Sequence, residues 1–64
     1  MNRKVQKFQH EIIRKLNQQG GELDIFTLCC EYHQNERVLV KKALACLEAE
    51  NRVNINYGQV TQVL

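Results

Sequence analysis

Proline is absent from the 64 residues, and with it any linker, repeat or low-complexity tract that would mark a boundary between two domains. Glycine is confined to Gly20, Gly21 and Gly58, so there is no glycine-rich loop to cradle a phosphate. Cys29, Cys30 and Cys46 are the three cysteines, too few and odd in number for a disulfide scaffold. The first residues lack the charged-then-apolar pattern of a secretory leader, so reduced thiols in a cytoplasmic protein are expected. No apolar run approaches the length that crosses a bilayer, which excludes a helical membrane span. At this length a single domain buries roughly 60 per cent of its unfolded surface, which leaves little room for an enclosed catalytic pocket. An enzyme is not expected.

What charge there is lies unevenly. The total is only +2, yet residues 1–19 set Arg3, Lys4, Lys7, Arg14 and Lys15 against Glu11 alone, and residues 20–36 hold Glu22, Asp24, Glu31 and Glu36 with no cation. Residues 37–52 return to a basic excess with Arg37, Lys41, Lys42 and Arg52 against Glu48 and Glu50, and the last twelve residues carry no charge. Two basic segments flank an acidic one.

Hydrophobic spacing divides the chain into elements. Val5, Phe8, Ile12 and Leu16 recur every three or four residues, with Ile13 widening the stripe, which predicts a helix over 3–19. Gly20 and Gly21 stop it, the first in the left-handed position past a helix end. Asp24 is the expected N-cap of a helix over 24–33, with Leu23 and Leu28 placed as a hydrophobic staple and Ile25, Leu28, Cys29 and Tyr32 as its buried stripe. Asn35 is the expected cap of a third helix over 36–51, in which Val40, Ala43, Leu44 and Leu47 line one side and Leu39 and Cys46 flank it. Its other side collects Arg37, Val38, Lys41, Lys42, Ala45 and Ala49. After Arg52 the period becomes two: Val53, Ile55 and Tyr57 alternate with Asn54 and Asn56, Gly58 marks a turn, and a β-hairpin over 53–63 ends the domain. A short strand at Glu22-Leu23 is placed to pair with it.

This order of elements resembles a winged helix-turn-helix domain, an α+β and mainly helical fold with a C-terminal two-stranded wing. The most specific stretch, Arg37 to Val53, is similar to the recognition helix of GntR-like regulators, with their Ser-Arg-x-Thr-Val-Arg-x-Ala-Leu-x-x-Leu-x-x-x-Gly pattern. Arg37, Val40, Lys41, Ala43, Leu44 and Leu47 match. Glu36, Leu39 and Asn51 depart, standing where serine, threonine and glycine are usual; the first two remove hydroxyls that help hold phosphate. Small FeoC-like winged helices of ferrous-iron transport share the length and order, but their cysteines cluster in the wing and this wing has none.

The resemblance implies that the third helix enters the major groove of double-stranded DNA. Arginine and lysine donate to guanine acceptors there, and small apolar residues allow close approach or touch a thymine methyl. The expected contacts are Arg37, Val38, Lys41, Lys42 and Ala45, joined by Asn35 before the helix and Tyr57 in the wing, with Arg3, Lys4 and Lys7 on phosphates. The same residues also suit an ordinary solvated helix face and a solubilising terminus. Because the wing offers no cation, a winged helix that binds protein is the alternative, with Tyr57, Val38 and the exposed alanines as contact points. One module covers only about 600–1,000 Å² of DNA-binding surface, so a homodimer or a protein partner is expected. No metal or cofactor is expected: Cys29, Cys30 and His33 lie three and four apart, but there is no Cys-x-x-Cys and no set of four ligands. No catalytic residues are assigned, a Cys30–His33 dyad requiring a cleft that so small a domain can hardly form.

Overall fold

The computed structural model describes residues 3–63. They form an α+β, mainly helical, winged-helix-like fold of three helices and a three-stranded antiparallel sheet. Helix α1 spans Arg3–Gln18 and buries Val5, Phe8, Ile12 and Leu16, the expected stripe. It ends because Gly20 turns left-handed at φ 76° and the Gly21 N–H returns to the Leu16 carbonyl at 2.7 Å, satisfying a carbonyl of the last turn.

Strand β1, Glu22–Asp24, leads into helix α2, Ile25–Cys30. Asp24 caps α2 as expected, its Oδ1 accepting from the Thr27 N–H at 3.1 Å, and Leu23 and Leu28 both join the core. The helix is shorter than the expected 24–33. After Cys30 the chain tightens, with the N–H groups of Glu31 and Tyr32 bonding back only three residues, to Leu28 and Cys29. That turn places Tyr32 against α1: its ring meets Phe8 edge-on at 5.2 Å, and its hydroxyl donates to Glu11 at 2.8 Å. Burial, the Glu11 bond and nearby carboxylates hold the phenol well above its ordinary pKa.

A 3-10 turn, Gln34–Glu36, precedes helix α3, Arg37–Ala49. Asn35 is not the cap anticipated for it. It lies within the turn, and Glu36 stands at the cap position with no side-chain bond; the Glu36 N–H is instead satisfied by the His33 carbonyl at 2.9 Å, so a backbone turn starts α3. Val40, Ala43, Leu44 and Leu47 are buried, with Leu39 and Cys46 at the margin. At the far end Asn51 adopts φ 60°, and the Arg52 N–H reaches the Leu47 carbonyl at 2.9 Å. Asparagine tolerates the left-handed conformation better than most residues, which is why it fills the place where glycine is usual.

Strands β2, Val53–Asn56, and β3, Gln59–Gln62, form the hairpin, and β1 adds to the free edge of β3 to give the order β1-β3-β2. Leu23 and Ile55 both lie opposite Val60. Tyr57 does not continue the inward alternation of Val53 and Ile55. It shares the two-residue turn with Gly58, at φ 50° and 76°, as a primed hairpin turn requires. Val53 and Val60 close the core from the sheet side, and α1 and α3 pack most extensively on each other. Among the described residues no helix is long and apolar enough to cross a membrane.

Candidate nucleic-acid interface

Helix α3 commits one stripe to the core, and at 3.6 residues per turn the opposite side faces solvent. Val38, Lys41, Lys42 and Ala45 are all exposed there, with Val38 60% exposed. Neither lysine has an ion pair or hydrogen bond. Two cations, a valine and an alanine thus share one accessible face, in which the small side chains let the helix axis come close to a flat or grooved partner.

Arg37 departs from that face. It is half-buried, and its Nε donates to the Cys29 carbonyl at 3.0 Å. Arg37 thus reaches back from α3 to add a side-chain donor to a carbonyl at the end of α2 that already accepts from the Tyr32 N–H. The bond ties the first turn of α3 to the end of α2. Asn35 is exposed in the turn just ahead of α3, close in sequence to the lysine face.

The wing stands beside α2. The Ile25 N–H donates to the Gly58 carbonyl at 2.8 Å, which ties the hairpin turn to the first turn of α2. Tyr57 at its tip is completely exposed. Between wing, α2 and α3 runs an open groove of about 470 Å³ lined by Phe26, Cys29, Cys30, Arg37, Lys41 and Gly58, with Asp24 and Ile25 at one end. Phe26, 78% exposed, is a residue that the sequence reading passed over. The signal was available: the stripe Ile25, Leu28, Cys29 and Tyr32 leaves Phe26 about 110° off its centre at 100° per residue, so an aromatic ring had to sit outside the core.

Arg3, Lys4 and Lys7 are exposed on α1. With Arg3 and Lys7 the structure aligns His10 and Arg14, on the side of α1 opposite its buried stripe. Since that stripe faces α3, these side chains are not brought to the Lys41–Lys42 face. Lys15 is engaged elsewhere, 2.7 Å from Glu31. Among the described residues no three His, Cys, Asp or Glu side chains converge as a metal site, and Cys29, Cys30 and Cys46 are free thiols.

No protein-family model, curated protein or solved structure matches the chain.

Proposed function

We propose that the domain binds double-stranded DNA through the outer face of α3. The observation that carries this reading is the pair Lys41 and Lys42, unpaired and exposed beside Val38 and Ala45 on α3, which Arg37 joins to the Cys29 carbonyl of α2. The lysines supply charge for phosphates and guanine edges, and the small residues let the helix sit in the major groove. Tyr57 at the wing tip and Asn35 ahead of α3, both exposed, would meet the flanking backbone, and Arg37 acts as a positioning residue. The role that fits is a small cytoplasmic regulator, or a phage or mobile-element protein, working as a dimer or with a protein partner, because one module of this size covers a limited site.

The test replaces Lys41 and Lys42 with alanine. Both are exposed, so the circular-dichroism spectrum and melting temperature stay unchanged. Affinity for duplex DNA falls, and the slope of log Kd against log salt becomes shallower by about 0.9 per lost phosphate contact, or roughly 1.8 for the pair. A wild-type chain that shows no salt-dependent binding to any duplex at low ionic strength refutes the reading.

One observation favours a second reading. Phe26, Val38 and Tyr57 are large, apolar and exposed, and Phe26 borders the groove beside Arg37 and Lys41. Exposed aromatics around a groove suit a protein-docking surface. On that reading Phe26→Ala and Tyr57→Ala abolish the interaction, and the lysine pair changes only its rate of association.

A further inference from the structure

Helix α1 carries a second cationic surface. Arg3, Lys7, His10 and Arg14 follow one another at spacings of four, three and four, so they stack along one side of the helix. All four are exposed, and none has an ion pair or hydrogen bond. They border a shallow hollow with Gln6 and Glu11; the Glu11 carboxylate is held at its edge by the Tyr32 hydroxyl. At 1.5 Å per residue the row is about 16 Å long. Phosphates recur every 3.4 Å or so of axis on each strand of a duplex, so the row spans several of them.

The row and the Lys41–Lys42 face point in opposite directions. On α1 the cations lie about 175° from the centre of the buried stripe, and on α3 the lysine face lies about 160° from its own, at 100° per residue. The two buried stripes meet in one core, so the outer faces diverge. The molecule measures 28 × 24 × 21 Å, wide enough that a straight duplex seated on one face does not touch the other.

We infer that the α1 row grips the phosphate backbone of a second duplex, so that one chain bridges two DNA segments. The inference rests on the α3 reading for the first duplex. A membrane is the weaker occupant, because a helix that lies in a lipid interface presents large apolar residues beside its cations, whereas the outward positions of α1 hold Arg3, Gln6, Lys7, His10 and Arg14, and no large exposed hydrophobic lies on this helix.

The test uses the full chain with two duplexes at low ionic strength, one biotinylated and captured on beads, the other fluorescent, alongside anisotropy with a single duplex. The wild type carries the fluorescent duplex onto the beads. The double variant Lys7→Gln, Arg14→Gln binds a single duplex to within about threefold of wild type, yet bridging falls at least tenfold. The Lys41→Ala, Lys42→Ala variant loses single-duplex affinity. Bridging that survives in the α1 variant overturns the inference and leaves the α3 reading standing, since a dimer presenting two α3 faces would behave so. A wild type that binds one duplex without bridging also overturns it, as does equal loss of single-duplex affinity in both variants, which places both faces on one DNA. A wild type that binds no duplex overturns the α3 reading itself, and the inference with it.

Discussion

Helices α1 and α3 meet through equivalent inner faces: both bury branched aliphatic residues in one core, and both end in a left-handed residue that closes the last turn. Their outer faces differ in kind. α1 shows only long polar or charged side chains at Arg3, Gln6, Lys7, His10 and Arg14, while α3 sets Val38 and Ala45 among Lys41 and Lys42. A row of long cations keeps a polyanion at arm's length and grips it without regard to sequence. A face that mixes lysines with small apolar residues lets the backbone of the helix come near enough for side chains to distinguish bases. The same packing unit thus carries two outer surfaces of different chemistry, a row of long cations on α1 and a face of lysines and small apolar residues on α3.

The largest effects come from the shared inner faces. Leu16 on α1 and Leu47 on α3 are both fully buried, and Leu→Ala at such positions costs about 2–5 kcal/mol from lost transfer energy and the cavity left behind. For a domain of this size either change lowers the melting temperature by about 8 °C or more, on the scale of roughly 4–8 °C per kcal/mol. Thermal denaturation followed by circular dichroism checks it. Equal losses at the two sites would show that the helices contribute alike to folding, and a small loss at Leu16 alone would show that α1 is docked on a core that α3 and the sheet complete without it.

The inner faces were legible in the sequence because both helices are amphipathic and long enough to display their period. The sheet was legible because Val53 and Ile55 alternate with asparagines and Leu23 lies within reach. What was hidden depends on contacts between elements. By spacing Arg37 lies about 70° from the centre of the buried stripe of α3, at its margin, and nothing in its neighbours shows that the guanidinium turns back to the Cys29 carbonyl. The early end of α2 follows from the same region, since Tyr32 is drawn to Phe8 and Glu11 on α1, partners more than 20 residues away. Tyr57 reads as a strand residue until register is known; the pairing of Asn56 with Gln59 leaves two residues for the turn and puts Tyr57 in it. In the candidate site the lysine pair was visible, whereas the groove beside Phe26 required the wing to be seen fastened to α2.

A smaller effect separates the two helix ends. α1 closes on Gly20 at φ 76° and α3 on Asn51 at φ 60°, and a Cβ at Gly20 would meet nothing within 4 Å, so the cost there is conformational alone. Gly20→Ala and Asn51→Ala should each cost about 1 kcal/mol, the penalty of a left-handed L-residue, while Asn51→Gly changes stability by only a few tenths. Urea midpoints at constant m-value measure all three. A cost at Asn51→Ala far below that at Gly20→Ala would mean that the end of α3 relaxes out of its left-handed turn.

The smallest effect distinguishes two kinds of cation on α1 itself. Lys15 is 2.7 Å from Glu31 and lies over the Tyr32 ring, 5.9 Å from its centroid, so its charge is spent on fastening α1 to the segment after α2. Arg3, Lys7, His10 and Arg14 make no ion pair or hydrogen bond, and only the Arg14 charge is felt by the Tyr32 phenol. Lys15 and Glu31 are both partly exposed, so the pair is screened and Lys15→Met should cost about 0.2–1 kcal/mol in low salt. That loss should shrink as salt approaches 1 M, where the Debye length falls to about 3 Å. Lys7→Met should leave stability within a few tenths of a kcal/mol at any salt, because an exposed cation without a partner contributes little to the fold. Denaturation of both variants across a salt series makes the comparison, and a Lys7→Met loss as large and as salt-sensitive as that of Lys15→Met would mean that the outer row of α1 holds the fold together and is not free for a ligand.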